Sequence, residues 1–115
     1  MTRGVYQLKN LKDGYVYIGS SNHIEARVYD HFEELRGRVH YNKRLQRAFN
    51  DAERYFIWGV IKSFDDTASR DEIYAFEQEV MDYTLKKYNI LLNATDHLLD
   101  DLSKRERTRQ LRLKL

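Results

Sequence analysis

The chain has 115 residues, with 20 lysines and arginines against 18 acids and a net charge of +2. A chain of this length forms one domain by default, and 42% hydrophobic residues exclude a disordered chain. The absence of cysteine excludes thiol catalysis and cysteine-based zinc sites, and it is typical of a reducing cytoplasm. No apolar run approaches the ~18 residues of a membrane span, so we expect a cytoplasmic protein without membrane contact.

Basic residues are concentrated in two segments of this nearly neutral chain. The segment from residue 35 to 50 contains no acid, and its bases are Arg36, Arg38, Lys43, Arg44 and Arg47. The segment from residue 103 to 115 carries six bases and the single acid Glu106. Such blocks suggest a surface that binds a polyanion, although a merely solvated surface would have the same composition.

Two strands joined by a tight turn are predicted first. They cover residues 5–10 and 15–19, with Asp13-Gly14 as a two-residue turn. This register makes Asn10 face Tyr17. Because side chains alternate along a strand, it also places Tyr6 and Tyr17 on one face of the hairpin.

Three helices and a third strand complete the predicted order. Asn22, with Glu25 in capping-box spacing, opens the first helix, and a shorter helix covers residues 42–50. The apolar run of residues 55–64 predicts a strand covered on both faces. Ser69, with Glu72, opens a helix that ends near residue 87. The order predicts an α+β domain with a small antiparallel sheet.

Three ionisable residues occupy helix positions at which the periodic pattern predicts apolar residues. At about 100° per residue, His31 lies on the apolar face of the first helix with Arg27 beside it. Glu77 lies within the apolar stripe of the last helix, whereas Glu79 points to solvent. A buried carboxylate pairs with a buried base or binds a metal. A structural ion pair and a satisfied core histidine remain the alternative reading of these residues.

The predicted hairpin contains two tripeptides, Gly4-Val5-Tyr6 and Tyr17-Ile18-Gly19. They resemble the two halves of the motif of the GIY-YIG nuclease superfamily, with Val in place of Ile. Arg27 follows eight residues after Gly19, and His31 lies one turn later. The stretch of residues 40–50 resembles the phage intron-encoded homing nucleases of this family. Glu77 resembles the family's metal-binding glutamate, and Tyr88-Asn89-Ile90 its terminal Tyr-Asn motif.

The resemblance implies a three-stranded antiparallel sheet flanked by helices, with a nuclease domain in residues 1–96. Residues 97–115 would form a basic C-terminal helix or the start of a linker. The implied activity is metal-dependent cleavage of double-stranded DNA, of the homing-endonuclease type, by a monomer or a transient dimer on DNA. A structure-specific repair or recombination nuclease of the same superfamily and a catalytically inactive DNA-binding module are the alternatives.

The resemblance also implies roles for single residues. Glu77 would hold one divalent ion, Mg²⁺ or Mn²⁺, and Arg27 would donate to the phosphoryl oxygens. Tyr6, assisted by His31, would activate the water, with either residue as the proton acceptor. Tyr17 would bond to the phosphate or the water, and Asn89 would position the site. The expected DNA contacts are Arg36, Arg38, His40, Lys43, Arg44 and Arg47.

Overall fold

The computed structural model describes residues 1–93. The predicted domain end at residue 96 and the basic tail of residues 97–115 lie outside the described residues. The elements in chain order are β1 (Gly4–Asn10), β2 (Val16–Ser21), α1 (Ile24–Arg36), α2 (Lys43–Ala52), a 3-10 helix (Glu53–Tyr55), β3 (Phe56–Ser63) and α3 (Arg70–Tyr88). The strands form one antiparallel sheet in the order β2-β1-β3, which confirms the predicted α+β fold. Among these helices, none is both long and apolar enough to cross a membrane.

The hairpin has a different register from the predicted one. Leu8 pairs with Tyr17, and Tyr6 pairs with Gly19, so the predicted pairing of Asn10 with Tyr17 is wrong by two residues. Residues 11–15 connect the two strands in place of a two-residue turn, and the Asn10 N–H donates to the Tyr15 carbonyl at 2.9 Å. Because the error is an even number of residues, Tyr6 and Tyr17 still lie on the same face, as predicted.

The sheet carries a hydrophobic core on each face. Tyr6 and Leu8 point from β1 towards the core formed with α1 and α2. Val5 points the other way, into a core that includes Ile73 and Leu85 of α3. The central strand is therefore buried on both faces, and Tyr6 lies within the α1 and α2 layer.

The helix N-termini differ in how they are capped. The predicted capping box of Asn22 and Glu25 is wrong: α1 begins after His23 without a side-chain cap, and the Glu25 carboxylate accepts from the Thr2 N–H instead. The other two predicted helix starts are confirmed. Asn42 caps α2 by accepting from the Leu45 N–H at 3.0 Å, and Ser69 caps α3 in the same way.

Strand β3 is not covered on both faces, contrary to the prediction. It lies at the edge of the sheet and pairs only with β1 among the described strands. Ile57, Trp58 and Val60 are 45%, 42% and 43% exposed. Its apolar run is typical of a buried strand, but the position of a strand in the sheet, which is set by the whole chain, decides its burial.

Candidate active site

Five of the six predicted catalytic side chains gather at one site beside the start of β1. The Tyr6 hydroxyl lies 2.6 Å from His31 Nε2, and the ring of Tyr17 packs edge-on against the His31 ring. The charge of Arg27 acts on all three of these groups, and the charge of Glu77 acts on Tyr6. Strands β1 and β2 thus supply the tyrosines, and helices α1 and α3 supply the charged groups.

The two terminal glycines of the motif leave room for this packing. A Cβ atom on Gly4 would lie 2.0 Å from the Lys62 carbonyl oxygen of β3. A Cβ atom on Gly19 would lie 2.5 Å from both Cζ and the hydroxyl oxygen of Tyr6. Gly4 therefore allows β3 to approach β1, and Gly19 allows the Tyr6 ring to lie across β2.

A chain of hydrogen bonds runs inward from Tyr6. His31 Nδ1 lies 2.7 Å from His40 Nε2, and both imidazoles are fully buried. The backbone N–H of Asn42 donates to His40 Nδ1 at 3.0 Å. Buried Gln46 holds the loop in place, because its side chain accepts from the His40 N–H and donates to the Leu35 carbonyl.

The backbone N–H of Asn42, at the inner end of this series of hydrogen bonds, determines the tautomers of both histidines. His40 Nδ1 must accept from Asn42, so its proton is on Nε2 and is donated to His31 Nδ1. Neutral His31 then carries its own proton on Nε2 and donates it to the Tyr6 oxygen. The Tyr6 proton is consequently not used in the hydrogen bond to His31.

Burial and the charge of Arg27 determine the protonation states of the hydrogen-bonded side chains. Burial, together with the smaller effects of the Arg27 and His40 charges, lowers the pKa of His31 to about 3. Burial also lowers the pKa of His40, whereas Glu34 opposes this shift. Burial raises the pKa of Tyr6 well above its ordinary value, and Arg27 acts against that rise. Both histidines are therefore neutral at physiological pH, and Tyr6 keeps its proton in the free domain.

Tyr41 is a member of the site that the sequence reasoning did not single out. Its hydroxyl makes a short hydrogen bond to the Tyr17 hydroxyl, and its ring stacks on His40 at a centroid distance of 4.6 Å. Burial and this hydrogen bond raise the pKa of Tyr17. Tyr41 is 64% exposed, so it lies where buried Tyr17 meets solvent. A signal was present in the sequence, since Tyr41 follows His40 in the stretch that resembles homing nucleases.

Glu77 lies half-buried on α3 and is held by β2. Ser20 Oγ donates to Glu77 Oε2 at 2.7 Å. Burial raises the pKa of this carboxyl group, and the Ser20 hydrogen bond acts against the rise. Within residues 1–93, no group of three or more His, Asp or Glu side chains could enclose an ion. A single carboxylate nevertheless fits Mg²⁺, which keeps several waters and uses one or two carboxylates together with substrate phosphates.

The structure does not bring Asn89 to this cluster. Asn89 is the exposed C-cap of α3, in the left-handed conformation with φ 52°. Asn93 lies against β2 instead: its side chain accepts from the Ile18 N–H at 2.8 Å and donates to the Ile18 carbonyl at 2.9 Å. Asn93 is therefore the asparagine that fixes the strand carrying Tyr17, and it was missed because Tyr88 favoured Asn89.

The predicted DNA contacts fall into three groups. The expected contact of His40 with DNA is wrong, because its side chain is fully buried. Arg36 pairs with Glu33 at 3.6 Å, and Arg38 bonds to Asn50 at 2.7 Å while it packs over the ring of Phe49. The three remaining bases lie on the exposed face of α2. These are Lys43, Arg44 and Arg47.

Comparison with known proteins places this site in a family. The GIY-YIG catalytic domain matches residues 2–89. The chain belongs to the GIY-YIG nuclease family. It is also similar to intron-associated endonuclease 1 of Enterobacteria phage T4, with 36% identity over 62 residues, which are 54% of this chain. The matched segment is 25% of that T4 protein, so this chain corresponds to a small part of it.

Two solved structures have the same fold as this GIY-YIG domain. The catalytic domain of homing endonuclease I-TevI superimposes with a TM-score of 0.69 at 28% identity, over 77% of this chain and 96% of that one. A mutant of the I-TevI catalytic domain gives a TM-score of 0.63 at 29% identity, over 77% of this chain and 86% of that one. The expected nuclease fold is thereby confirmed.

Proposed function

We propose that this GIY-YIG domain hydrolyses phosphodiester bonds of double-stranded DNA with one divalent cation, Mg²⁺ or Mn²⁺, as part of a homing endonuclease. The observation that carries the proposal is the convergence of Tyr6, Arg27, His31 and Glu77 on one site of a chain that belongs to this family. The named relatives, an intron-associated endonuclease and a homing endonuclease, support the homing type.

The phosphodiester is an anion that repels a nucleophile, so the site must neutralise charge that develops in the transition state. Arg27 carries a permanent positive charge at the centre of the cluster, where it acts on Tyr6, Tyr17 and His31. A guanidinium presents a planar fork of donors that matches phosphoryl oxygens. We therefore assign Arg27 to the non-bridging oxygens of the scissile phosphate.

Glu77 is the side chain that would hold the metal ion. Its Oε2 is fixed by Ser20, which leaves the other carboxylate oxygen available as a ligand. A bound divalent ion supplies charge neutralisation at the phosphate and lowers the pKa of a coordinated water. The carboxyl pKa is raised by burial, and the neighbouring positive ion favours the ionised form that a ligand must have.

The tautomers favour Tyr6 rather than His31 as the proton acceptor. His31 Nε2 already carries a proton, and its Nδ1 is occupied by His40, so neutral His31 has no free acceptor atom. His31 instead donates to the Tyr6 oxygen, which stabilises a tyrosinate once Tyr6 has lost its proton. Arg27 acts in the same direction. Tyr6 would release its own proton to solvent water when the substrate and the divalent ion bind, and the resulting tyrosinate would take a proton from the attacking water.

The exposed bases of α2 would bind the DNA backbone next to this site. Lys43, Arg44 and Arg47 lie on the helix that follows His40 and Tyr41, and Tyr41 contacts Tyr17. Contacts of basic side chains with phosphates position the DNA backbone and carry no base information.

One site cuts one strand. A double-strand break therefore requires two domains, in a transient dimer on DNA, or two successive cuts by a monomer.

Nicking of supercoiled plasmid by the full chain tests the proposed function. Conversion of the plasmid to open circles with Mg²⁺, and the loss of this conversion in EDTA, would define a metal-dependent nuclease. DNA binding without any nicking, in Mg²⁺ or Mn²⁺, would make the chain an inactive binding module instead.

A further inference from the structure

A groove adjoins the catalytic cluster on the side of α3. It lies between the end of β2 and the first turns of the helix, with a cavity volume of about 260 Å³. Its lining residues are Ser20, Ser21, Asn22, Arg70, Ile73 and Tyr74. Arg70 and Tyr74 have no part in the proposed chemistry at Glu77 and Tyr6.

The groove is continuous with the candidate metal carboxylate. Ser20 lines the groove and also donates to Glu77 Oε2 at 2.7 Å. Arg70, Tyr74 and Glu77 follow each other at intervals of four and three residues, which places them on one face of α3. Seven residues of helix rise about 10 Å, so Arg70 in the groove lies about that far along the same face of α3 from Glu77.

The side chains of the groove can bind an anion and a sugar. The guanidinium of exposed Arg70 forms no hydrogen bond or ion pair with any residue from 1 to 93, whereas nearby Arg3 is held by Asn22 Oδ1 and the Asp65 carbonyl. Tyr74 is 50% exposed and offers an aromatic face and a hydroxyl. The Ser21 oxygen accepts from the His23 N–H, which leaves its proton available to a ligand.

The acids nearest in sequence do not occupy the groove. Asp71 and Glu72 follow Arg70 directly, but the helical repeat turns them about 100° and 200° away from it. Neither residue lines the cavity. The groove therefore presents a positive charge and neutral donors, which is the chemistry that phosphodiester oxygens require.

We propose that this groove is a subsite for a phosphate and sugar that flank the scissile phosphate on the cleaved strand, with Arg70 as its anion-binding residue. The proposal rests on the proposed function, because the scissile phosphate defines the position of the strand. A strand bound at Glu77 and continued along α3 presents its next phosphates to Arg70 and its sugar to Tyr74.

Binding titrations in EDTA at several salt concentrations test the charge contact without cleavage. Arg70→Ala is expected to weaken the affinity for a DNA duplex several-fold and to reduce the salt slope by about 0.9, the value for one phosphate contact. Arg70→Lys should restore most of the affinity. Arg54→Ala is the matched control, because Arg54 is equally an exposed arginine but lies on the 3-10 helix at a different cavity. Equal behaviour of Arg70→Ala and Arg54→Ala would overturn the proposal.

A scan with uncharged methylphosphonate linkages, placed one at a time around the mapped cleavage position, locates the contact. For the wild-type chain, neutralising one flanking phosphate should weaken binding, and in Arg70→Ala that one position alone should become insensitive. Unchanged sensitivity at every position would overturn the subsite. If the wild-type chain nicks plasmid and only this scan fails, the proposed function stands without the subsite; if the chain nicks no DNA in Mg²⁺, the proposed function fails first.

Discussion

A Cβ atom on Gly19 would lie 2.5 Å from the hydroxyl oxygen of Tyr6, the residue directly opposite it in the sheet. The two halves of the motif are thus complementary in shape, since the glycine of one half makes room for the tyrosine of the other. The same packing brings the Tyr6 hydroxyl to His31, so a steric requirement in β2 sets the position of the Tyr6 side chain.

Gly19→Ala should therefore displace Tyr6 from His31. We expect a fall of about 10²-fold in the single-turnover cleavage rate, the usual consequence of misplacing a reactive group by about 1 Å. Overpacking should also lower the free energy of unfolding by about 1–3 kcal/mol. Gly59→Ala in β3 is the control, because a Cβ there meets open space. Equal rates in the two variants would show that the Tyr6 position does not matter.

Arg27→Ala should lose catalysis while it keeps DNA affinity. Removal of a preorganised donor to developing charge lowers the rate by about 10²–10³-fold, whereas the exposed bases of α2 would remain available for DNA binding. Single-turnover rates and equilibrium titrations, with Arg54→Ala as a control of equal charge change, separate the two quantities. A proportional fall in rate and affinity would make Arg27 a simple binding residue.

The tautomers of His31 and His40 can be observed directly. In ¹⁵N NMR spectra of the folded chain, both imidazoles should be neutral at pH 7, with the proton on Nε2 and none on Nδ1. This follows from the backbone N–H that Asn42 directs at His40 Nδ1. A proton on Nδ1 of either ring would contradict the proposed direction of the hydrogen bonds and would leave His31 free to accept the Tyr6 proton.

The free energy of unfolding should fall as the pH is lowered from 6.5 towards about 3, the two pKa values of His31 in the unfolded and folded chain. Its pKa is about 3 in the folded chain against an ordinary value of 6.5, mainly because of burial. Between these values the unfolded chain binds more protons, so the free energy of unfolding decreases as pH falls, by about 1.4 kcal/mol for each unit of difference in pKa. His40 acts with the same sign, and Glu77, whose pKa is raised, with the opposite one.

Denaturant unfolding between pH 7 and pH 4 measures this effect. The comparison is between the wild-type chain and His31→Gln, since the other titrating groups are common to both. The variant should be less stable at pH 7 but should lose less stability on acidification. Parallel curves for the two proteins would show that His31 is protonated equally in the folded and unfolded states.

Periodic patterns were sufficient to predict the elements and much of the site. The helical repeat placed His31 among the apolar residues of α1, and His31 is fully buried. Tyr6 and Tyr17 were placed on one face despite a wrong turn, because a shift of two residues preserves the alternation of a strand. Such inferences remain correct when a turn is placed wrongly. The face of a strand depends only on whether a shift is even or odd, and the face of a helix depends only on the angle per residue.

Contacts between residues distant in the chain could not be predicted in this way. The burial of β3 depended on its position at the sheet edge. The choice of Asn93 over Asn89 depended on where the chain returns to β2. The resemblance implies a DNA contact for His40, but the loop before α2 turns its side chain inward to His31. Each of these outcomes is set by tertiary packing and leaves no local periodicity.

The metal response of two glutamate variants tests the central claim most directly. Glu77 is half-buried and bonded to Ser20, whereas Glu79 is exposed two residues later on the same helix. The measurement is the single-turnover cleavage rate against Mg²⁺ concentration, with folding checked by circular dichroism. Glu77→Ala should show no Mg²⁺-stimulated cleavage while it still folds and binds DNA, and Glu79→Ala should match the wild-type chain. Full Mg²⁺-dependent activity in Glu77→Ala, or its loss in Glu79→Ala alone, would contradict the proposed site.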